Sequence, residues 1–167
     1  MITHHRVWAY GDHINTDVIF PGKYTYNLRT PEEIASKALE DLDPTFATNA
    51  QTGDVIVAGR NWGCGSSREQ AVTALKYQGI VAIIAMSFNG LYYRNCINQG
   101  IEPIICPQLH QHIKTGDLIE IDRATHTLRT DDQVLKIPIL SKSVRAIIGA
   151  GGLVPMLQEH FVGNAIS

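Results

Sequence analysis

Residues 53–85 read GDVIVAGRNWGCGSSREQAVTALKYQGIVAIIA. Thr52-Gly53-Asp54 is a turn that feeds Val55–Ala58, a β-branched strand bounded by Gly59. Gly63-Cys64-Gly65-Ser66-Ser67 is a glycine-rich turn. The spacing of Ala71, Val72, Ala74, Leu75 and Gln78 then predicts a helix from about Arg68 to Gln78, closed by Gly79. Ile80–Ala85 is a continuous apolar run, the pattern of a strand buried on both faces. Strand, turn, helix, strand makes a β-α-β unit, so the two strands are expected to be parallel. The fold class is therefore α/β.

The turn itself has chemical character. Its two glycines allow a tight path and leave amides uncovered. Ser66 and Glu69 fit the S-x-x-E capping box, and backbone N–H groups at a helix start can face an anion. Arg68 adds a guanidinium fork suited to a carboxylate. Three familiar motifs do not fit. A phosphate-binding loop requires Gly-Lys-Ser/Thr where Gly65-Ser66-Ser67 stands. The dinucleotide fingerprint requires glycine at Arg68, and a G-x-S-x-G nucleophile turn requires glycine at Cys64. A well-capped helix after a glycine turn remains the plain alternative to a carboxylate site.

Outward from this unit the chain keeps an α/β rhythm. Val7–Tyr10 reads as a short strand. Gly11–Tyr24, GDHINTDVIFPGKY, reads as a functional loop carrying a short extended piece at Val18–Phe20. Thr30 as N-cap, Pro31 in the first turn and Glu32 and Glu33 behind it predict a helix over Pro31–Leu42. Leu91–Asn98 is expected to be a helix and Ile104–Cys106 a brief strand. Leu118–Asp122 and Thr127–Thr130 form a hairpin, with Leu135–Leu140 as a third strand. Gly149–Gly152 breaks the chain before a final helix at Leu153–His160. With no repeat or linker, residues 1–167 are expected to form one domain.

Composition narrows the classes. Hydrophobic residues make up 44% and the formal net charge is -2, enough for a core and too little positive field for nucleic acid. The longest apolar run, Ile80–Met86, falls far short of the roughly 20 residues of a membrane span. No signal-like or transit-like start is read, so a cytoplasmic location is expected. Cys64, Cys96 and Cys106 show no CxxC pairing and no ferredoxin-type spacing, and no zinc set surrounds His110 and His112. No metal site is expected in this chain.

Beyond local physics, Gly63-Cys64-Gly65-Ser66-Ser67-Arg68-Glu69-Gln70-Ala71 resembles the signature of the aconitase swivelling domain. Asn15-Thr16-Asp17 with Pro21-Gly22-Lys23-Tyr24 resembles that family's N-terminal active-site loop, and Gly53–Gly59 its approach strand. Ser87-Phe88, Tyr93-Arg94-Asn95 and Asn98-Gln99-Gly100 resemble its downstream helix. The motifs fall in order from about residue 10 to 105. In the small subunits of isopropylmalate dehydratase and homoaconitase this domain is a separate chain. The resemblance implies a single swivelling β/β/α domain with a mixed sheet or barrel-like core flanked by helices.

It also implies a hydro-lyase subunit that acts with a large subunit, as a heterodimer or heterotetramer. The 4Fe–4S cluster would belong to the large subunit, with no cofactor in this chain. The reaction moves a hydroxyl between adjacent carbons of a 2-hydroxy acid through an alkene. Ser66 matches the proton-transfer group, while a helix cap or a simple substrate hydrogen bond remain its alternatives. Ser67 and Arg68 would bind substrate carboxylate, helped by amides at Gly63 and Gly65. Asp17 would anchor the loop or meet the partner. Lys23, Tyr24 and Arg29 would face the substrate's variable arm, although Leu28-Arg29-Thr30 is displaced from Tyr24 relative to the family pattern. Isopropylmalate is the expected substrate, with homoaconitate or dimethylmalate as alternatives. A non-catalytic carboxylate-binding or assembly subunit is the rival of a different class.

Overall fold

The computed structural model describes residues 1–165; the last two residues of the expected domain lie outside them. Strand β1 (Ile2–Ala9) leads into helix α1 (Thr16–Ile19), a 3-10 turn at Gly22–Tyr24, α2 (Pro31–Ala35) and α3 (Phe46–Asn49). Next come β2 (Val55–Ala58), α4 (Gln70–Tyr77), β3 (Ala82–Ala85), α5 (Gly90–Gln99) and β4 (Glu102–Ile105). The chain closes with β5 (Leu118–Asp122), β6 (Thr127–Arg129), β7 (Val134–Lys136), α6 (Lys142–Gly149) and α7 (Leu153–Ala165).

The strands form one mixed sheet in the order β4-β3-β2-β1-β5-β6-β7. The four strands from β4 to β1 run parallel, with Val55 opposite Val7 on one side and Ala82 on the other. From β1 outward the sheet is antiparallel, with His5 opposite Ile119 and Ile121 opposite Leu128. The expected α/β class, the parallel unit and the mixed sheet are all present.

Period-two alternation along the central strands supplies two cores. Ile56, Ala58, Ile83 and Ala85 face the helices and meet Phe46, Trp62, Leu75, Tyr92 and Cys96. Val55, Val57, Ala82 and Ile84 face the other way, against Ile104, Leu109, Ile119, Ile121 and Leu128. Both faces of β2 and β3 are therefore covered, which is why their sequences are apolar without a break.

Some expected elements change shape. Thr30 and Glu33 do form a capping box. The helix they start ends at Ala35 instead of reaching Leu42. Leu39 adopts φ 57° and its N–H donates to the Ile19 carbonyl at 2.8 Å, so a tertiary bond replaces further helix. Val18–Phe20 was expected to be extended; Val18 and Ile19 instead lie in α1, whose N-cap Asn15 accepts from the Val18 N–H at 2.9 Å. The third hairpin strand stops at Lys136, two residues before Pro138, which has no N–H to donate. Helix α6, capped by Ser141, was not anticipated.

Two buried polar groups tie β1 to its neighbours. Asp54 is 4% exposed and accepts from Arg6 at 2.6 Å, from the Trp8 indole at 2.9 Å and from the Gln51 N–H at 2.9 Å. Burial pushes its carboxyl up, but these donors outweigh burial and hold it below the usual carboxylate value. His5 donates from Nδ1 to the Gly53 carbonyl at 2.7 Å, leaving Nε2 to accept from the Thr3 hydroxyl at 2.7 Å. That hydroxyl already accepts from Arg123 at 2.9 Å. A protonated His5 would force a second cationic donor onto it.

Burial, with Arg123 adding to it, lowers the His5 pKa below 6.5 despite the Gly53 carbonyl and Glu102. The unfolded chain therefore takes up this proton first as pH falls, and the contribution of His5 to stability is lost below about pH 6.5. Thermal unfolding of wild type and His5→Asn at pH 7.5 and pH 5.5 checks this. The wild type should lose more of its melting temperature on acidification than the variant.

Candidate active site

The parallel pairing does not stop where the regular strands end. Beyond β1 and β2, Tyr10 donates to the Val57 carbonyl (2.9 Å), Gly59 to Gly11 (3.1 Å) and His13 to Arg60 (2.7 Å). Gly63 then donates to Ile14 (2.9 Å) and Thr16 to Cys64 (2.8 Å). On its other side the same stretch continues against β3, with Trp62 donating to Ser87 at 3.0 Å and Asn89 to Trp62 at 2.9 Å. Residues 59–64 are thus a strand-like strip held between residues 10–16 and 86–89. The strip delivers Ser66 and Arg68 beyond the carboxyl ends of the parallel strands, where open α/β sheets bind ligands.

Gly63 is required in this strip by close approach. It has φ 77°, and a Cβ there would lie 2.1 Å from Cγ of buried Tyr92. Its amide is spent on Ile14, so it does not serve the expected carboxylate nest. Gly65, exposed at φ 96°, retains that potential. The expected Ser66–Glu69 capping box does not form. Residues 66–68 stay irregular, α4 begins at Gln70, and its N-cap Glu69 makes no capping bond. Each side chain has found another partner: Glu69 accepts from Gln99 at 3.1 Å, and Ser66 is held from two directions.

Arg68 donates from Nε to Ser66 Oγ at 3.1 Å, and Thr16 Oγ1 lies 3.3 Å from the same oxygen. The other end of the guanidinium reaches the N-terminal loop, with Nη2 3.0 Å from Asp17 Oδ1 and Nη1 3.3 Å from Thr25 Oγ1. A guanidinium has five N–H donors, so two remain for a ligand. Asp17 Oδ1 also accepts from the Gly22 N–H at 2.8 Å. That amide, followed by Arg68, lowers the Asp17 carboxyl below its usual value. A Cβ at Gly22 would come within 2.7 Å of Arg68 Nη1 and 2.9 Å of Asp17 Oδ1, so a side chain there would displace the ends of this pair. Asp17 thus joins the N-terminal loop to Arg68 on the Ser66 segment.

The other expected residues are distributed differently. Lys23 and Tyr24 turn towards Glu40: the phenol donates to Oε1 at 2.5 Å and Lys23 Nζ lies 3.5 Å from it. Lys23 and Lys37 both sit over the Tyr24 ring, at 5.0 and 5.1 Å from its centre. Arg29 is exposed, and its backbone N–H is bound by Glu33 at 3.0 Å. Ser67 is exposed, and its carbonyl accepts from Asn95 at 3.3 Å. Thr16 and Thr25 were not singled out in sequence. Thr16 lay inside the Asn15-Thr16-Asp17 motif, but nothing local relates it to a serine fifty positions away.

Residues 12–109 match the aconitase C-terminal domain family. The 3-isopropylmalate dehydratase small subunit of Heliobacterium modesticaldum is 42% identical over 93% of this chain and 94% of its own length. The chain belongs to the aconitase C-terminal domain family. Its relatives include the methanogen homoaconitase small subunit of Methanocaldococcus jannaschii, 45% identical over 96% of this chain and 94% of that protein. A solved structure of 3-isopropylmalate dehydratase from the same organism superposes with a TM-score of 0.89. It is 42% identical and covers 99% of this chain and 98% of that one. The matched span contains both the Ser66–Arg68 segment and the loop it grips, and relatives named as small subunits imply a large-subunit partner.

The cysteines of this family member do not suit an iron–sulfur cluster. Cys96 is buried on the helix side of the sheet and Cys106 on the opposite side, while Cys64 lies half-buried on the strip before Ser66. Burial pushes the thiols of Cys96 and Cys106 up, away from the thiolate that ligates iron. Among the described residues no three His, Cys, Asp or Glu side chains converge as a metal group, and no helix is long and apolar enough to cross a membrane.

Gly63→Ala should destabilise the chain by about 2–4 kcal/mol, from positive φ plus overpacking against Tyr92. Urea unfolding should show a lower midpoint with an unchanged slope.

Proposed function

We propose that this chain is the small subunit of a hydro-lyase that isomerises 3-isopropylmalate, with Ser66 as its proton-transfer group. The observation that carries the reading is the double hold on Ser66 Oγ by Arg68 and Thr16, in a chain of this family. A serine removes a carbon-bound proton only as an alkoxide, which at neutral pH requires convergent donors. Arg68 supplies a charged donor directly, a stronger source than the helix dipole, worth about 0.3–1 kcal/mol when exposed.

In this scheme Ser66 Oγ takes the proton from the carbon beside a carboxylate. The C–H electron pair forms the alkene as hydroxide leaves from the neighbouring carbon. Addition of water in the opposite sense returns the proton from Ser66 and completes the exchange of position. The two remaining N–H donors of Arg68, with the Ser67 hydroxyl, would orient the carboxylate. The iron–sulfur cluster, on this reading, is held by the large subunit, and the pair works in the cytoplasm as a heterodimer or heterotetramer.

Isopropylmalate is favoured by relatives named 3-isopropylmalate dehydratase small subunit and by the likeness to a 3-isopropylmalate dehydratase structure. Homoaconitate is the second reading, favoured by the exposure of the Arg29 side chain and by the 45% identity to a homoaconitase small subunit.

The test is anaerobic reconstitution with the large subunit of the same genome and hydration assays on isopropylmaleate, homoaconitate and dimethylmaleate. Isopropylmaleate should turn over best. Ser66→Ala should lower kcat by about 10²–10⁴-fold. Undiminished turnover by Ser66→Ala would reduce the chain to a structural cover. Arg68→Lys, which loses the fork but keeps the charge, should raise KM and lower kcat together, read from initial rates over a substrate series.

A further inference from the structure

Thr16 is 1% exposed, so its hydroxyl proton must find an acceptor inside the protein. It is the first residue of α1, and the capping oxygen of that helix comes from Asn15, so Thr16 is free of that duty. Its own backbone N–H is committed to the Cys64 carbonyl at 2.8 Å, which fixes the side chain beside the Ser66 segment. Among the described residues the hydrogen-bond partner of the Thr16 hydroxyl is Ser66 Oγ, at 3.3 Å. A hydroxyl can donate or accept, and the proton count decides which. If Ser66 donated to Thr16, the buried Thr16 proton would have no acceptor among the described residues. If Thr16 donates, every proton is placed. Ser66 Oγ then accepts from Thr16 and from Arg68 Nε, using both lone pairs, and its own proton is directed to the exposed side.

We infer that Thr16 is a positioning residue that donates its hydroxyl to Ser66 Oγ and aims the Ser66 proton-transfer axis at the open face of the site. The inference rests on the reading of Ser66 as the proton-transfer group. When that oxygen carries negative charge, both hydrogen bonds become charge-assisted and shorten. The 3.3 Å separation is long for an O–H···O bond, as expected of a catalytic contact before substrate arrives. Thr16 thus acts on the charge that develops and not on substrate binding. Its loss falls on kcat.

Three variants of the reconstituted complex test this: Thr16→Val, which keeps the shape and removes the hydroxyl, Thr16→Ser, which keeps the hydroxyl, and Ser66→Ala. Thr16→Val should lower kcat on the order of tenfold to a hundredfold with KM unchanged, the range for a hydrogen bond to a charged group. Thr16→Ser should restore most of it. Equal losses in Thr16→Val and Thr16→Ser, or no loss in either, overturn the inference. If Ser66→Ala abolishes turnover while Thr16→Val does not change it, the inference fails and the reading of Ser66 survives. If Ser66→Ala is active, both fail. A readout independent of turnover comes from thermal unfolding of the full chain alone, as a double-mutant cycle of Thr16→Val and Ser66→Ala. Non-additive shifts in melting temperature support direct coupling of the two hydroxyls, and additive shifts overturn it. Thr16→Ala replaces Thr16→Val in the cycle if the valine variant does not fold.

Discussion

The site depends on a backbone ladder that outruns its own strands. Between residues 10–16 and 57–64, five N–H···O=C bonds continue the parallel pairing after the regular strands end. Where the ladder is buried, at Thr16, Val57, Gly59 and Gly63, pairing is unforgiving, because an unpaired buried N–H or C=O costs as much as a lost hydrogen bond. The ladder therefore fixes the register between two loops. Register sets which side chains meet: Thr16 meets Ser66 because Thr16 N–H is bonded to Cys64, and Asp17 then lies where Arg68 can take it.

Glycine and aromatic packing make this ladder possible. Residues 59–64 pass between two neighbours over the Tyr92 ring, and Gly63 permits that passage. Tyr92 is itself held by its hydroxyl on the Ala71 carbonyl at 2.8 Å, so α5 and α4 are joined beneath the site. The chemistry at the surface is thus set by packing one layer below it, on a scaffold whose two cores cover both faces of β2 and β3.

The sequence was most readable where neighbouring residues determine structure. Val55–Ala58 and Leu118–Asp122 are strands at their expected limits, and Thr30-Pro31-Glu32-Glu33 starts a helix as its capping pattern requires. Ser66 and Arg68 stood out because a glycine turn before a helix has local chemical meaning. What failed were local rules overruled by distant partners. The Ser66–Glu69 box lost to Thr16 and Gln99, and the long helix after Pro31 lost to the Leu39–Ile19 bond. Lys23 and Tyr24 were placed by their loop position, whereas Glu40 and Lys37 supply the charges that hold them. Asn15 caps α1 by accepting from the Val18 N–H, a local pattern that the reading of Gly11–Tyr24 as a loop did not use.

On the proposed reading of Arg68 as a carboxylate ligand, the Asp17–Arg68 pair gives recognition a particular thermodynamic form. Before any ligand arrives, the guanidinium already has a carboxylate of its own, only partly withdrawn from water. An incoming carboxylate therefore exchanges with, or shares, a resident anion and does not meet a naked cation. Its gain is a difference between two similar contacts, so charge alone adds little affinity. Shape and hydrogen-bond direction are left to discriminate among acids of equal charge. An arginine occupied in this way is also spared non-productive capture of stray anions, at the cost of weaker attraction at long range.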